Sequence, residues 1–162
     1  MKEKKFVLFF IIVFLFSLFI RLFQITSIPS FVVSDEIQYI GEARSLALSG
    51  RDLSGKWSPI SLTSSNSWYA ELPGLILLPA AVLFWDNPML SAKITHVLMG
   101  SLMPLLLAGI SFGLFQNKRM AMLTALIASL NPWFFQFSRL AFESFFSIFF
   151  YLLGFCVVLL GR

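Results

Sequence analysis

The sequence predicts an all-α integral membrane protein with about four transmembrane helices and two external juxtamembrane helices, forming a single module over residues 1–162. Three observations lead there. Hydrophobic residues make up 58% of the chain and charged residues only 12%, against roughly 25% charged in a soluble domain. With 20 Phe as well, such a chain cannot cover a globular surface with polar groups. The apolar residues also gather in runs close to the ~20 that a helix needs to cross the hydrocarbon. Finally, the basic residues behind the net charge of +4 lie at the edges of those runs, where they set topology. They form no stripe with interleaved aromatics, so no nucleic acid is expected as a partner.

The first run, 6–23, follows Lys2, Lys4 and Lys5 in "MKEKKFVLFFIIVFLFSLFIRLF". It is bulky and no small-residue cleavage pattern follows, so it reads as an uncleaved anchor with its N-terminus in the cytoplasm. Arg21, near its far end, is expected to snorkel to the interface. The proline of "IPSF" ends this segment. A helix over 35–49 comes next, capped by Ser34 or Asp35 and closed by Gly50. Ile37, Ile40, Ala43, Leu46 and Ala47 share one face, which predicts that this helix lies along the membrane surface.

The Ser-rich stretch 54–69 reads as an exposed loop. "LPGLILLPAAVLFW", 72–85, has only the length of an interfacial or re-entrant helix and carries two prolines. Longer runs follow at 89–115, 120–137 and 144–160. If 72–85 crossed the membrane, Lys118 and Arg119 would fall outside. If it lies on the outer interface, they join Lys2, Lys4, Lys5 and Arg162 in the cytoplasm, as the positive-inside rule favours. The expected topology therefore has one long external loop, about 24–88, and a tight external turn at 138–143.

Several conspicuous residues have modest readings. The single cysteine, Cys156, lies in an apolar run and suits a packed thiol. His96, one turn from Lys93, suits a helix–helix hydrogen bond. Trp57, Trp68, Trp85 and Trp133 fall at expected boundaries, as interfacial anchors do.

The chemistry concentrates in two places. "SDEIQYIGEARSLALSGRD", 34–52, crowds ionisable groups into the first external loop, with Asp35 and Glu36 at a helix start. The pair could simply favour the positive end of the helix dipole, worth about 0.3–1 kcal/mol. It could instead present a catalytic carboxylate at the interface, since an ionisable group near a bilayer is costly to keep. "NPWFFQFSRLAFES", 131–144, places Arg139 and Glu143 in the second external turn. Four apart, they would form a salt bridge on a continuous helix. By the expected topology, both acidic clusters face the same side. Carboxylates from two loops can position a hydroxyl nucleophile or a divalent cation, and an Arg can hold a phosphate.

In order, "PSFVVSDEIQY", "ALSGRDLSGKWSP", a short interfacial helix, a span ending in "NKR" and "NPWFFQFSRLAFE" resemble the N-terminal module of GT-C glycosyltransferases. The similarity is to the protein O-mannosyltransferase and aminoarabinose-transferase-like branch. These enzymes take a sugar from a polyprenyl-phosphate carrier at the outer membrane face. The resemblance implies that Asp35 is the catalytic acidic residue of the first external loop, acting as base and supported by Glu36, and that Glu143 is the acidic residue of the second loop. It implies that Arg139 and, less specifically, Lys56 contact the carrier phosphate. A divalent cation, magnesium or manganese, is an optional component, with Asp35 and Glu143 as its carboxylates. The donor would be a polyprenyl-phosphate sugar in the cell membrane, and the acceptor a hydroxyl of a protein, lipid or glycan. Where relatives carry His-Pro-Pro, this chain has "AELPG", 70–74, so that histidine's role is absent or altered and Glu71 is its only local acidic substitute.

The resemblance also implies that the chain is the N-terminal part of a longer protein whose later spans complete the carrier site. The alternative reading is a non-catalytic membrane scaffold, assembly subunit or transporter fragment. A transporter should show charges near mid-span and matched broken segments; here the charges cluster at one boundary.

Overall fold

In a computed structural model of the protein, residues 3–29, 34–55 and 72–161 are described, and every regular element among them is helical. The order is α1 (Glu3–Leu22), α2 (Ser34–Ser49), α3 (Leu72–Leu83), α4 (Pro88–Phe115), α5 (Lys118–Ser129), α6 (Pro132–Phe137) and α7 (Glu143–Leu160). Among the described residues, three helices are long and apolar enough to cross a membrane: α1, α4 and α7. The chain divides into two compact units. One gathers the chain up to Phe23, Val97–Ser138 and Ser144 onward; the other gathers Gln24–His96 and Arg139–Glu143.

The run 120–137, expected as one span, is two helices. Asn131 stands before Pro132, and a residue before proline is driven out of the helical region; it sits at φ −65°, ψ 118°. Its side chain then caps α6 by accepting from the Trp133 and Phe134 amides. Asn117 does the same for α5, accepting from the Arg119 and Met120 amides. At 12 residues, α5 is about 18 Å long, short of the ~30 Å hydrocarbon.

The first unit packs α1, α5 and the later part of α4 around Val13, Ala108, Ala121 and Ala125, with Phe9, Phe10, Leu105 and Phe112 against them. Glycines on α4 permit close approach, as at many membrane helix contacts. A Cβ on Gly109 would stand 2.6 Å from Cys156 Sγ, one on Gly113 2.8 Å from Leu159 Cβ, and one on Gly100 2.2 Å from Ser138 Cβ. Bulky side chains point outward from α1 and α7, Phe19 (70% exposed) and Val157 (61%) among them, as suits a lipid-facing surface.

Arg21 does not snorkel. It is fully buried, and its Nε donates to Ser138 Oγ at 3.0 Å. Its Nη1 donates to the Ser17 hydroxyl at 2.5 Å and carbonyl at 3.1 Å, and its guanidinium lies 5.9 Å from the Phe135 ring centre. The missing side chain of Gly100 leaves the space for this contact, because any Cβ there would lie 3.3 Å from Arg21 Nε.

In the second unit, α2 packs against α3, and a Cβ on Gly74 would come within 3.2 Å of Glu42 Cβ. The expected cap at Gly50 is present: its φ is +67°, and its amide donates to the Leu46 carbonyl. Glu36, Tyr39 and Ala43 are buried, while Ile37 is 61% exposed and Ala47 is also exposed. Tyr39 and Glu36 have polar partners inside this unit, and those bonds rotate α2 so that Ile37 turns out.

Candidate active site

Two of the segments that sequence reasoning singled out are bonded together inside the second unit, where α2 meets the segment Arg139–Glu143. Neighbouring residues on a helix point about 100° apart, so the helix separates the Asp35–Glu36 pair. Glu36 points inward. It is 2% exposed, and its Oε1 accepts the Ala141 amide proton at 3.0 Å across 105 positions of sequence. Asp35 stays half-exposed, accepting from the Ser34 hydroxyl at 3.3 Å. One turn on, Tyr39 is 1% exposed and its hydroxyl donates to Glu143 Oε2 at 2.8 Å. Glu143 itself is half-buried in the first turn of α7, where the helix dipole favours a carboxylate.

Arg139 is not one helical turn below Glu143. The chain between α6 and α7 is not helical, so the expected i, i+4 geometry is lost. The guanidinium instead donates through Nη2 to the Gln24 and Ile28 carbonyls, at 3.1 and 2.6 Å. Burial pushes it below its ordinary pKa. Its role in this geometry is to tie the segment to the end of the first loop's entry. Lys56 and Glu71 lie outside the described residues.

The start of α4 adds two residues that sequence reasoning passed over or read differently. His96 is fully buried, and its Nε2 donates to the Phe142 carbonyl at 3.3 Å, so one of its partners is the turn's backbone. Lys93 is fully buried as well. A lysine and a histidine three apart in an otherwise apolar run were the available signal. Tyr39 carried a weaker one, three residues after Glu36 on the same face.

The Gly-Arg-Asp loop folds back onto α2. Glu42 links Gln38 Nε2, at 2.8 Å, to the Leu53 amide, at 3.1 Å, and buried Asp52 accepts the Ser54 hydroxyl. Arg44 stacks on Trp85, its guanidinium carbon 4.8 Å from the ring centre, and donates to the Trp85 carbonyl. That ties α2 to the chain just beyond α3.

Among the described residues, no three His, Cys, Asp or Glu side chains come together as a metal-holding group. Glu143 is oriented by Tyr39, and Asp35 by Ser34. No family model, curated protein or solved structure matches this chain.

Proposed function

We propose that the chain is a module of a glycosyltransferase that moves a sugar from a polyprenyl-phosphate carrier to an acceptor hydroxyl, with Asp35 as the base. The observation that carries this reading is the bonding of two distant acidic segments into one unit: Glu36 to the Ala141 amide and Tyr39 to Glu143. That arrangement leaves Asp35 and Glu143 as its half-exposed carboxylates. It accords with the resemblance of both segments to GT-C enzymes.

In this reading Asp35 accepts the proton of the acceptor hydroxyl as the oxygen attacks the anomeric carbon. The carbon–oxygen bond to the carrier phosphate breaks, and the departing phosphate keeps the electron pair. A single displacement inverts the anomeric centre. Glu143, aimed by Tyr39, orients the acceptor or sugar hydroxyls. The site lies on the outer face, with α5 and α6 together making the fourth crossing, which keeps Lys118 and Arg119 inside.

A second reading, a non-catalytic scaffold, draws on a different observation. Glu36, Arg139 and His96 all bond to backbone groups, as a purely structural fastener would. The two are separated by assaying the protein in its native membranes with polyprenyl-phosphate sugars. Transfer that Asp35→Asn abolishes supports the enzyme. Transfer that survives Asp35→Asn removes Asp35 as the base, and no transfer from any such donor favours the scaffold.

A further inference from the structure

One end of the first unit gathers positive charge beside an apolar groove, and the proposed chemistry uses neither. Lys4 and Lys5 stand exposed in the first turn of α1, and Lys118 and Arg119 open α5. The two helix starts are joined: Lys118 Nζ donates to Glu3 Oε1 and lies over the Phe6 ring, 5.3 Å from its centre. In these first turns four cations stand against one carboxylate, that of Glu3. Lys118 and Arg119, with Gln116, Asn117 and Met122, line a hollow of about 630 Å³. Phe6, the ring under Lys118, also lines two apolar hollows of about 280 and 350 Å³. One continues to Phe10, Ala108 and Phe112, the other past Phe10 and Leu102 to Phe14. From Phe6 to Phe14 is about 12 Å of helix.

We propose that this end binds one anionic diacyl phospholipid, with its phosphate in the hollow of Lys118 and Arg119 and an acyl chain in the groove from Phe6 to Phe14. The site stands apart from the transferase reading. Glu3 draws Lys118 toward Phe6, which leaves the exposed guanidinium of Arg119 as the main phosphate ligand. A guanidinium takes two phosphate oxygens at once. Charge selects the headgroup: each basic residue at an anionic membrane surface is worth about fivefold in binding, and a zwitterionic headgroup brings a further cation into a place already rich in them. The groove selects a lipid over free phosphate. An acyl chain gains dispersion contact along the Phe-lined surface, and inorganic phosphate leaves it uncovered.

Native mass spectrometry of the full chain, released from nanodiscs of phosphatidylcholine with a minor share of phosphatidylglycerol, tests this. The parent protein should retain one phosphatidylglycerol in preference to phosphatidylcholine. Arg119→Gln should weaken that retention about fivefold, and Lys118→Gln added to it about thirtyfold in all. Glycerol phosphate, which has the phosphate and no acyl chain, should fail to displace the lipid. Equal retention of phosphatidylcholine overturns the proposal, as does retention unchanged in the double variant. Displacement by glycerol phosphate or inorganic phosphate as effective as by the lipid itself makes this a free-phosphate site and overturns it equally. Arg119 is exposed, so its single substitution leaves the fold intact. Should the double variant fail to accumulate, the headgroup preference of the parent protein and the phosphate competition decide the matter between them.

Discussion

Each unit of this chain buries charge, and the two do so differently. In the first, Arg21 bonds through Nε and Nη1 to hydroxyls and a backbone carbonyl and lies over an aromatic face, in a space that Gly100 leaves open. In the second, Lys93, Arg139 and Glu36 are each buried, and Arg139 and Glu36 bond to backbone groups. A lone guanidinium has five donors in a fixed fork and can be shared among neutral acceptors. A carboxylate accepts only, so a buried one calls for donors and a counter-charge. The first arrangement is a helix clamp. The second joins segments far apart in sequence and leaves the Asp35 and Glu143 carboxylates half-exposed.

The comparison can be broken at several points. The largest expected effect is on chemistry in the second unit: Asp35→Asn should reduce sugar transfer by about 10²- to 10⁴-fold and leave thermal stability near that of the parent, because Asp35 is half-exposed. An equal loss of stability would mean that the residue is structural. Next comes the clamp. Gly100→Ala puts a methyl 2.2 Å from Ser138 Cβ, and overpacking of this kind costs about 3 kcal/mol. Its thermal midpoint in nanodiscs should drop sharply, and an unchanged midpoint would show that the contact around Arg21 is loose.

Tyr39→Phe removes a hydrogen bond to a carboxylate, worth about 2 kcal/mol, and should lower transfer as well as stability. A stability loss without any change in transfer would take Glu143 out of the mechanism. The smallest effect is expected at Gly50, where no neighbour lies within 4 Å of an added Cβ but φ is +67°. Gly50→Ala should cost about 1 kcal/mol from backbone conformation alone, read as a small shift in urea midpoint with transfer retained.

Much of the fold was legible because it follows from local rules. The membrane character follows from composition, α2 from its cap residues and Gly50, and the short α3 from a run too brief to span. The break at Asn131–Pro132 was written in the sequence but passed over, because the apolar count of 120–137 outweighed a proline that a membrane helix can tolerate. Arg21 was misplaced for a related reason: position near a helix end favours snorkelling, and nothing local reports that Ser138 and Gly100 leave a pocket for it. The acidic residues of the site were visible as residue types near expected boundaries. Their division of labour was not.

By itself, then, the sequence determined the apolar, all-helical character, most helix boundaries and the acidic segments on which the proposed function rests. These depend on hydrophobic length, capping and proline geometry, which act over a few residues. Tertiary structure alone decided that Glu36 turns inward while Asp35 stays half-exposed, that Arg139 bonds to the Gln24 and Ile28 carbonyls, that His96 bonds to Phe142 and that Lys93 is buried. Those outcomes depend on which donors and acceptors meet across more than a hundred positions of sequence, and the energy of a buried charge is set by the neighbours that folding brings to it.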